Sequence, residues 1–249
     1  MHSPPVNLIF AGCYKEKGMK NLGWGRALFW LLTLPFWQSN ALAQQPFKLQ
    51  TGDLLFQDLD CGAMCDAIES VTIGYRNARF SHVGIVKVDE AGNINVLEAI
   101  GPDVHYTPLE KFLNRQLDAE KKPKVAVGRF KKPYQHLIPV AFTHAEKYLG
   151  KPYDNVFAID NDAYYCSELV YFLFKEANNN QEVFPLYPMT YAALGSERIM
   201  PVWENYFNEL KAPVPQNDPG LNPGGISCSE KLKIYFPYGS PSQNKLRKK

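Results

Sequence analysis

The stretch whose reading decides the fold is Tyr164-Tyr165-Cys166-Ser167-Glu168-Leu169-Val170, where a cysteine stands at the change from loop to apolar helix. The first turn of a helix presents unpaired N–H groups and the positive end of the helix dipole, so a thiolate there is stabilised and its pKa falls. Such a thiol becomes a nucleophile when a base stands beside it. The best base in the chain lies far upstream, in Phe80-Ser81-His82-Val83-Gly84-Ile85-Val86, where His82 enters an alternating, strand-like run.

The 249 residues, 45% hydrophobic and 13% aromatic, allow one sizeable packed domain or two small ones, and we expect a single domain over residues 44–249 with a Pro-rich C-terminal segment. A formal charge of +2, with a basic run only at Lys245-Leu246-Arg247-Lys248-Lys249, gives no electrostatic case for nucleic acid. Residues 1–43 read as an upstream extension followed by an export signal. From Met19, the expected start, Lys20 and Arg26 precede the apolar run Ala27–Trp37, and Ala41-Leu42-Ala43 is a small-x-small cleavage site. That run is shorter than the about 20 residues a membrane span requires. Leu8-Ile9-Phe10-Ala11-Gly12-Cys13 imitates a lipoprotein box but lacks a basic region before it. The expectation is therefore a periplasmic or secreted chain, cleaved near Ala43 and without a stable membrane span.

Export permits disulfides. Cys61, Cys65, Cys166 and Cys228 remain after cleavage. Cys61 and Cys65 pair locally or bind a metal, although one C-x-x-x-C is a weak zinc signal. Cys166 and Cys228 either bridge, which leaves Cys166 structural, or Cys166 is the nucleophile.

A pass along the chain predicts a strand at Asp53–Phe56, a helix over Ala63–Ile73 closed by Gly74, and strands at Ser81–Val88 and Asn93–Ile100 around a turn-rich spacer. Thr107-Pro108-Leu109-Glu110 starts a short helix with a threonine cap, Lys124–Phe130 is a strand, and Pro139–Leu149 and Cys166–Ala177 are helices. Beyond Asn178 the frequent prolines argue against long helices and central strands.

The hairpin allows a test of what orients His82. Antiparallel partners have a constant index sum, and side chains share a face at matching parity. A loop of residues 88–92 puts His82 opposite Glu98, a loop of 90–92 makes them diagonal neighbours, and a loop of 89–92 puts Glu98 on the other face. A carboxylate beside His82 would set its tautomer and stabilise the imidazolium next to a thiolate. The alternative for Glu98 is a solvent-facing position. His105 is a weaker orienting candidate, and His136 and His144 read as surface histidines.

Five segments in chain order resemble the YiiX/YebB-like permuted papain-like cysteine hydrolases, relatives of the NlpC-type cell-wall peptidases. They are Gly52–Phe56, Ser81–Val86, Leu97-Glu98-Ala99, Tyr148–Asp154 and Tyr165–Val170, with Asn222–Ser229 as a further piece. The resemblance implies an α+β, circularly permuted papain-like fold, with a small antiparallel sheet or partial barrel packed on helices and the nucleophile at a helix N-terminus. It implies Cys166 as nucleophile, His82 as general base and acid, and Glu98 as the orienting group. It sets Tyr165 and Tyr164 at the substrate pocket, where Tyr165 is equally readable as a core aromatic. It calls for no metal and no cofactor. The substrate class it implies is a peptide or peptidoglycan fragment; the lecithin retinol acyltransferase-like lipid enzymes, and a non-catalytic binding protein with bridged Cys166, are the alternatives.

Overall fold

The computed structural model describes residues 47–243 apart from residues 160 and 194. The expected export leader and the expected cleavage near Ala43 lie outside the described residues. Its strands are β1 (Leu54–Gln57), β2 (His82–Val88), β3 (Ile94–Ile100), β4 (Asp103–Pro108) and β5 (Val125–Phe130), then β6 (Tyr187–Pro188), β7 (Pro219–Gly220) and β8 (Leu232–Tyr235). The helices are α1 (Ala63–Val71), α2 (Leu109–Leu113), α3 (Leu137–His144), α4 (Cys166–Ala177), α5 (Pro201–Leu210) and α6 (Pro223–Ser227). Six strands form one open antiparallel sheet in the order β4-β3-β2-β1-β5-β8, so the sheet alternative holds and no barrel closes.

Period-two alternation sorts the strand side chains onto two faces. Leu54, Phe56, Val83, Ile85, Leu97, Ala99, Ala126 and Phe130 face the main core, where they meet Leu169, Val170, Leu173 and Phe174 of α4 and Leu137 and Ala141 of α3. Leu55, Val86, Val96, Val125 and Val127 face a smaller core built around Phe112 of α2. Gly84 belongs to this second face. A Cβ there would stand 2.4 Å from Val96 Cγ1, so a side chain would force β2 away from its neighbours. Helix α4 runs over the predicted residues because its apolar spacing is helical and Glu168, at the third helical position, accepts from the Tyr165 N–H at 3.3 Å.

Several elements differ from expectation. The 63–73 helix stops at Val71, and Thr107 does not cap α2: it is the buried penultimate residue of β4, with Pro108 preceding the helix. Helix α3 ends at His144 and continues as a 3-10 turn over Ala145–Tyr148. Beyond Asn178, α5 forms in spite of the prolines because Pro201 occupies its first position, where the missing N–H has no partner to lose. Strands β4 and β8 are the two edges of the sheet. Edge strands are satisfied by one neighbour; β8 has only four residues, and β4 mixes polar and apolar residues too freely to announce itself in sequence.

A charged cluster lies where β1 ends. Asp58 and Glu69 are both buried, with Arg79 Nε 2.7 Å from Glu69 Oε2 and Lys124 Nζ 3.0 Å from Asp58 Oδ2. Burial, and next the negative charge of Asp58, push the Glu69 carboxyl up to about 7 against the opposing pull of Ser81 and Arg79. The folded state thus holds this proton more tightly than the unfolded chain does. Its stabilising contribution is complete below the unfolded pKa of about 4.5 and is lost as pH rises through about 7. Urea unfolding at pH 5 and pH 8 is expected to show wild type losing roughly 2–3 kcal/mol more than Glu69→Gln over that interval. Parallel pH dependences of the two proteins would contradict this assignment.

Candidate active site

Three elements bring the predicted residues together: β2 supplies His82, β3 supplies Glu98, and the start of α4 supplies Cys166. The observed register pairs Ile85 with Leu97, Val86 with Val96, Lys87 with Asn95 and Val88 with Ile94, the pairing of the 90–92 loop. His82 and Glu98 are therefore diagonal neighbours on one face. The loop is locked locally, since the Asp89 N–H donates to Asn93 O at 2.9 Å and the Asn93 N–H donates to Asp89 Oδ1 at 2.7 Å.

His82 Nε2 stands 2.6 Å from Glu98 Oε2, with the histidine buried and the glutamate wholly enclosed. This leaves Nδ1 for Cys166, with which His82 also hydrogen-bonds. Burial opposes an imidazolium, but the hydrogen bonds and charges of Cys166 and Glu98 outweigh it and push His82 up to about 9. Burial likewise opposes a thiolate at Cys166. The His82 hydrogen bond and charge, the Val83 backbone N–H and the Ser167 hydroxyl overcome it and lower the thiol pKa. The two shifts describe one thiolate–imidazolium pair that titrates as a unit.

Glu98 has a partner that sequence reasoning missed. Arg115, just past α2, holds it with a two-pronged fork, Nη1 to Oε2 at 2.8 Å and Nη2 to Oε1 at 2.5 Å. The guanidinium also lies 5.1 Å from the centre of the Phe112 ring, which is itself 5.9 Å from the His82 ring. Burial raises the carboxyl, but the Arg115 fork, His82 and the Thr107 hydroxyl together hold it far below the usual carboxylate range. Thr107, expected as a helix cap, instead turns its hydroxyl to the carboxylate that orients His82. No local pattern marks either residue: Thr107 meets Glu98 diagonally across the β3–β4 ladder, and Arg115 reaches it from beyond α2.

The other histidines stay apart from this chain of bonds. His105 faces Glu98 across the β3–β4 ladder, yet its Nδ1 pairs with Asp103 Oδ1 at 2.8 Å and the side chain is partly exposed. His144 lies 3.9 Å from Glu176. Cys166 is a free thiol, which overturns the expected alternative of a Cys166–Cys228 bridge. Cys61 and Cys65 form a disulfide, with Cα atoms 5.3 Å apart, so their local pairing is realised and their metal alternative is not.

Cys166 opens on a cleft. Ile68, Val71, Phe157, Met189, Trp203 and Leu221 supply most of its apolar wall, and Ser81, Thr72, Thr190 and Asn222 its polar points. Tyr165 lines it, its ring edge-on to Phe157 and its hydroxyl accepting from the Leu221 N–H at 3.3 Å. Tyr164 is placed differently, with its ring packed against Tyr148 and Phe172 and outside the residues that line the cleft. Alternating along an extended approach to the helix, neighbouring side chains point to opposite sides, so both tyrosines cannot share one pocket.

A sheet carrying histidine before the cysteine helix in chain order is the reverse of the usual papain arrangement, and the family model for permuted papain-like amidases of the YaeF/YiiX, C92 type matches residues 48–234. The chain belongs to this family. Over 137 residues it is 32% identical to the uncharacterized protein YiiX of Escherichia coli K12, a match covering 55% of this chain and 61% of that protein. The crystal structure titled metalloprotein yiiX from Escherichia coli O157:H7 superposes with a TM-score of 0.62 at 24% identity, covering 78% of this chain and 100% of that one. That likeness is one of fold. Among the described residues of this family member, no group of three His, Cys, Asp or Glu side chains is placed to hold a metal ion. Nor, among them, is any helix long and apolar enough to cross a membrane.

Proposed function

We propose that this chain is an exported cysteine amidase or peptidase that cleaves an amide bond through Cys166, His82 and Glu98. The observation that carries the reading is the buried run of contacts from the Arg115 fork through Glu98 and His82 to a free thiol at the first residue of α4, opening on a cleft. In the first step the Cys166 thiolate adds to the amide carbonyl carbon. The C–N bond then breaks as His82 gives its proton to the leaving amine, and a thioester remains on Cys166. Water attacks the thioester while His82 takes its proton, and the C–S bond breaks to release the acid and restore the thiolate–imidazolium pair. The orphan N–H of Cys166 at the helix start supports the tetrahedral oxyanion.

The export features upstream of Ala43 make peptidoglycan stem peptides the first substrate class. A specific observation favours a second reading, hydrolysis or transfer of a fatty-acyl group. None of the side chains lining the cleft is Asp, Glu, Lys or Arg, so the wall offers an apolar acyl chain burial and offers a carboxylate-rich peptide no counter-charge.

Incubating the purified chain separately with muropeptides and with N-acyl amino acids, followed by mass spectrometry, tests both. Release of amine from either class is expected, reduced on the order of 1000-fold or more by Cys166→Ala. Release that survives Cys166→Ala, or no release and no Cys166 adduct from either class, would overturn the proposal.

A further inference from the structure

We propose that Phe157 determines specificity: its ring stands across the cleft as a stop that sets how long an apolar acyl group Cys166 can accept. The inference rests on the reading of Cys166 as an acyl-transfer nucleophile and adds to it the residue that measures the acyl chain.

Phe157 has φ 55°, in the left-handed region that an aromatic residue adopts only where its surroundings impose it. Asp154 imposes it here. The buried Asp154 carboxylate accepts from the N–H groups on both sides of Phe157, with Val156 donating to Oδ1 at 2.8 Å and Ala158 to Oδ2 at 2.7 Å. Asp154 is itself tied to the segment entering α4, since its N–H donates to Tyr164 O at 3.2 Å. Two bonds that straddle one residue fix its backbone, and the fixed backbone delivers the Phe157 ring to the cleft wall. Backbone preference alone would favour Gly or Asn at this position, so what the site gains from phenylalanine is its ring.

That ring joins two walls. It meets Tyr165, the neighbour of the nucleophile, edge-on at 5.5 Å, and Trp203 of α5 edge-on at 5.9 Å. Tyr165 belongs to the main core and Trp203 to a separate small core, and Phe157 packs against both. Its centroid also lies 6.1 Å from that of Tyr206 and 6.3 Å from that of Phe207, so α5 braces it with three rings. Phe157 is only half-buried, which leaves part of the ring to the cleft. An apolar chain extending from the carbonyl at Cys166 is offered burial by Ile68, Val71, Met189 and Leu221 and runs up against this braced ring. Close-packed rings admit an extra methylene only with strain, so chain length is read here.

The test compares wild type with Phe157→Gly, which suits the left-handed backbone, and with Phe157→Leu, which keeps more of the packing. Each is given p-nitrophenyl acetate and p-nitrophenyl octanoate, from which Cys166 takes the acyl group as the ester C–O bond breaks and p-nitrophenolate leaves. The octanoate-to-acetate ratio of kcat/KM is expected to rise over wild type on the order of 100-fold in Phe157→Gly and about 10-fold in Phe157→Leu, so either variant alone decides. A second arm needs no acyl chemistry: Cys166 is alkylated at pH 6 with iodoacetamide and with N-hexyl iodoacetamide, and the hexyl-to-parent rate ratio is expected to rise in the same order. Ratios equal to those of wild type would overturn the assignment. So would equal losses with the short and the long reagent, which would make Phe157 a support of the site and not its measure. A wild type that is alkylated at pH 6 yet cleaves neither ester would overturn the hydrolase reading, and the alkylation ratios would still decide whether Phe157 limits the cleft.

Discussion

Cys166 in a His82→Ala variant is expected to lose its reactivity toward iodoacetamide below neutral pH, by on the order of 100-fold at pH 6. In wild type the thiol pKa is lowered by the imidazolium, so alkylation rises at a pH well below the range of a free thiol. The pair persists until His82 itself loses its proton at about 9. The sign follows from these two shifts: reactivity grows as pH climbs through the lowered thiol pKa, and the ion pair ends at the raised histidine pKa. Removing His82 takes away the first of the favourable contributions that overcome burial. What remains is a thiol in apolar surroundings, which ionises no earlier than the about 8.5 of a free cysteine. The alkylation profile should then be a single rise above pH 8. Superimposable profiles for the two proteins would remove the ion pair from the mechanism.

Arg115→Leu is expected to destabilise the fold by about 3 kcal/mol, a fall in Tm of roughly 6–12 °C for a domain of this size. Glu98 is wholly buried, and the Arg115 fork is the largest of the influences that keep it ionised there. A depressed carboxyl pKa stabilises the fold above the unfolded value and is lost only as pH falls through the folded one. In the variant Glu98 is held less far down, so acid unfolding should begin at higher pH than in wild type. Glu98→Leu combined with Arg115→Leu removes both charges and is expected to recover much of the lost stability, because neither is then left buried alone. The double variant should still alkylate slowly, since His82 has lost the carboxylate that orients it. Recovery of stability without recovery of reactivity distinguishes orientation of His82 from mere support of the fold. A single variant as stable as wild type would refute the buried-pair argument.

The local pattern around Cys166 was sufficient to place α4 from its first residue to its last, since a loop-to-helix change, an apolar stripe and a Glu at the third helical position are all short-range signals. The β2–β3 hairpin was equally legible, and parity alone reduced the His82–Glu98 question to a choice among three loops. Asp89 and Asn93 made that choice with two hydrogen bonds whose geometry the residue names do not specify. The resemblance of ordered segments to a permuted papain-like family anticipated the fold. Helix α5 was hidden by prolines that only a three-dimensional start position makes harmless. Edge strands β4 and β8 were hidden because an edge needs no alternation.

By itself, then, the sequence determined which residues carry titratable chemistry and which short elements hold them, because propensity, capping and periodicity act over a few residues. Only the tertiary structure decided that Arg115 and Thr107 serve Glu98, that Cys166 remains a free thiol, that Tyr164 turns away from the cleft while Tyr153 lines it, and that Glu69 keeps its proton near neutral pH. Each of these depends on burial and on how the strands and helices pack against one another. Desolvation and charge pairing are properties of the packed neighbourhood, and no window of sequence contains that neighbourhood.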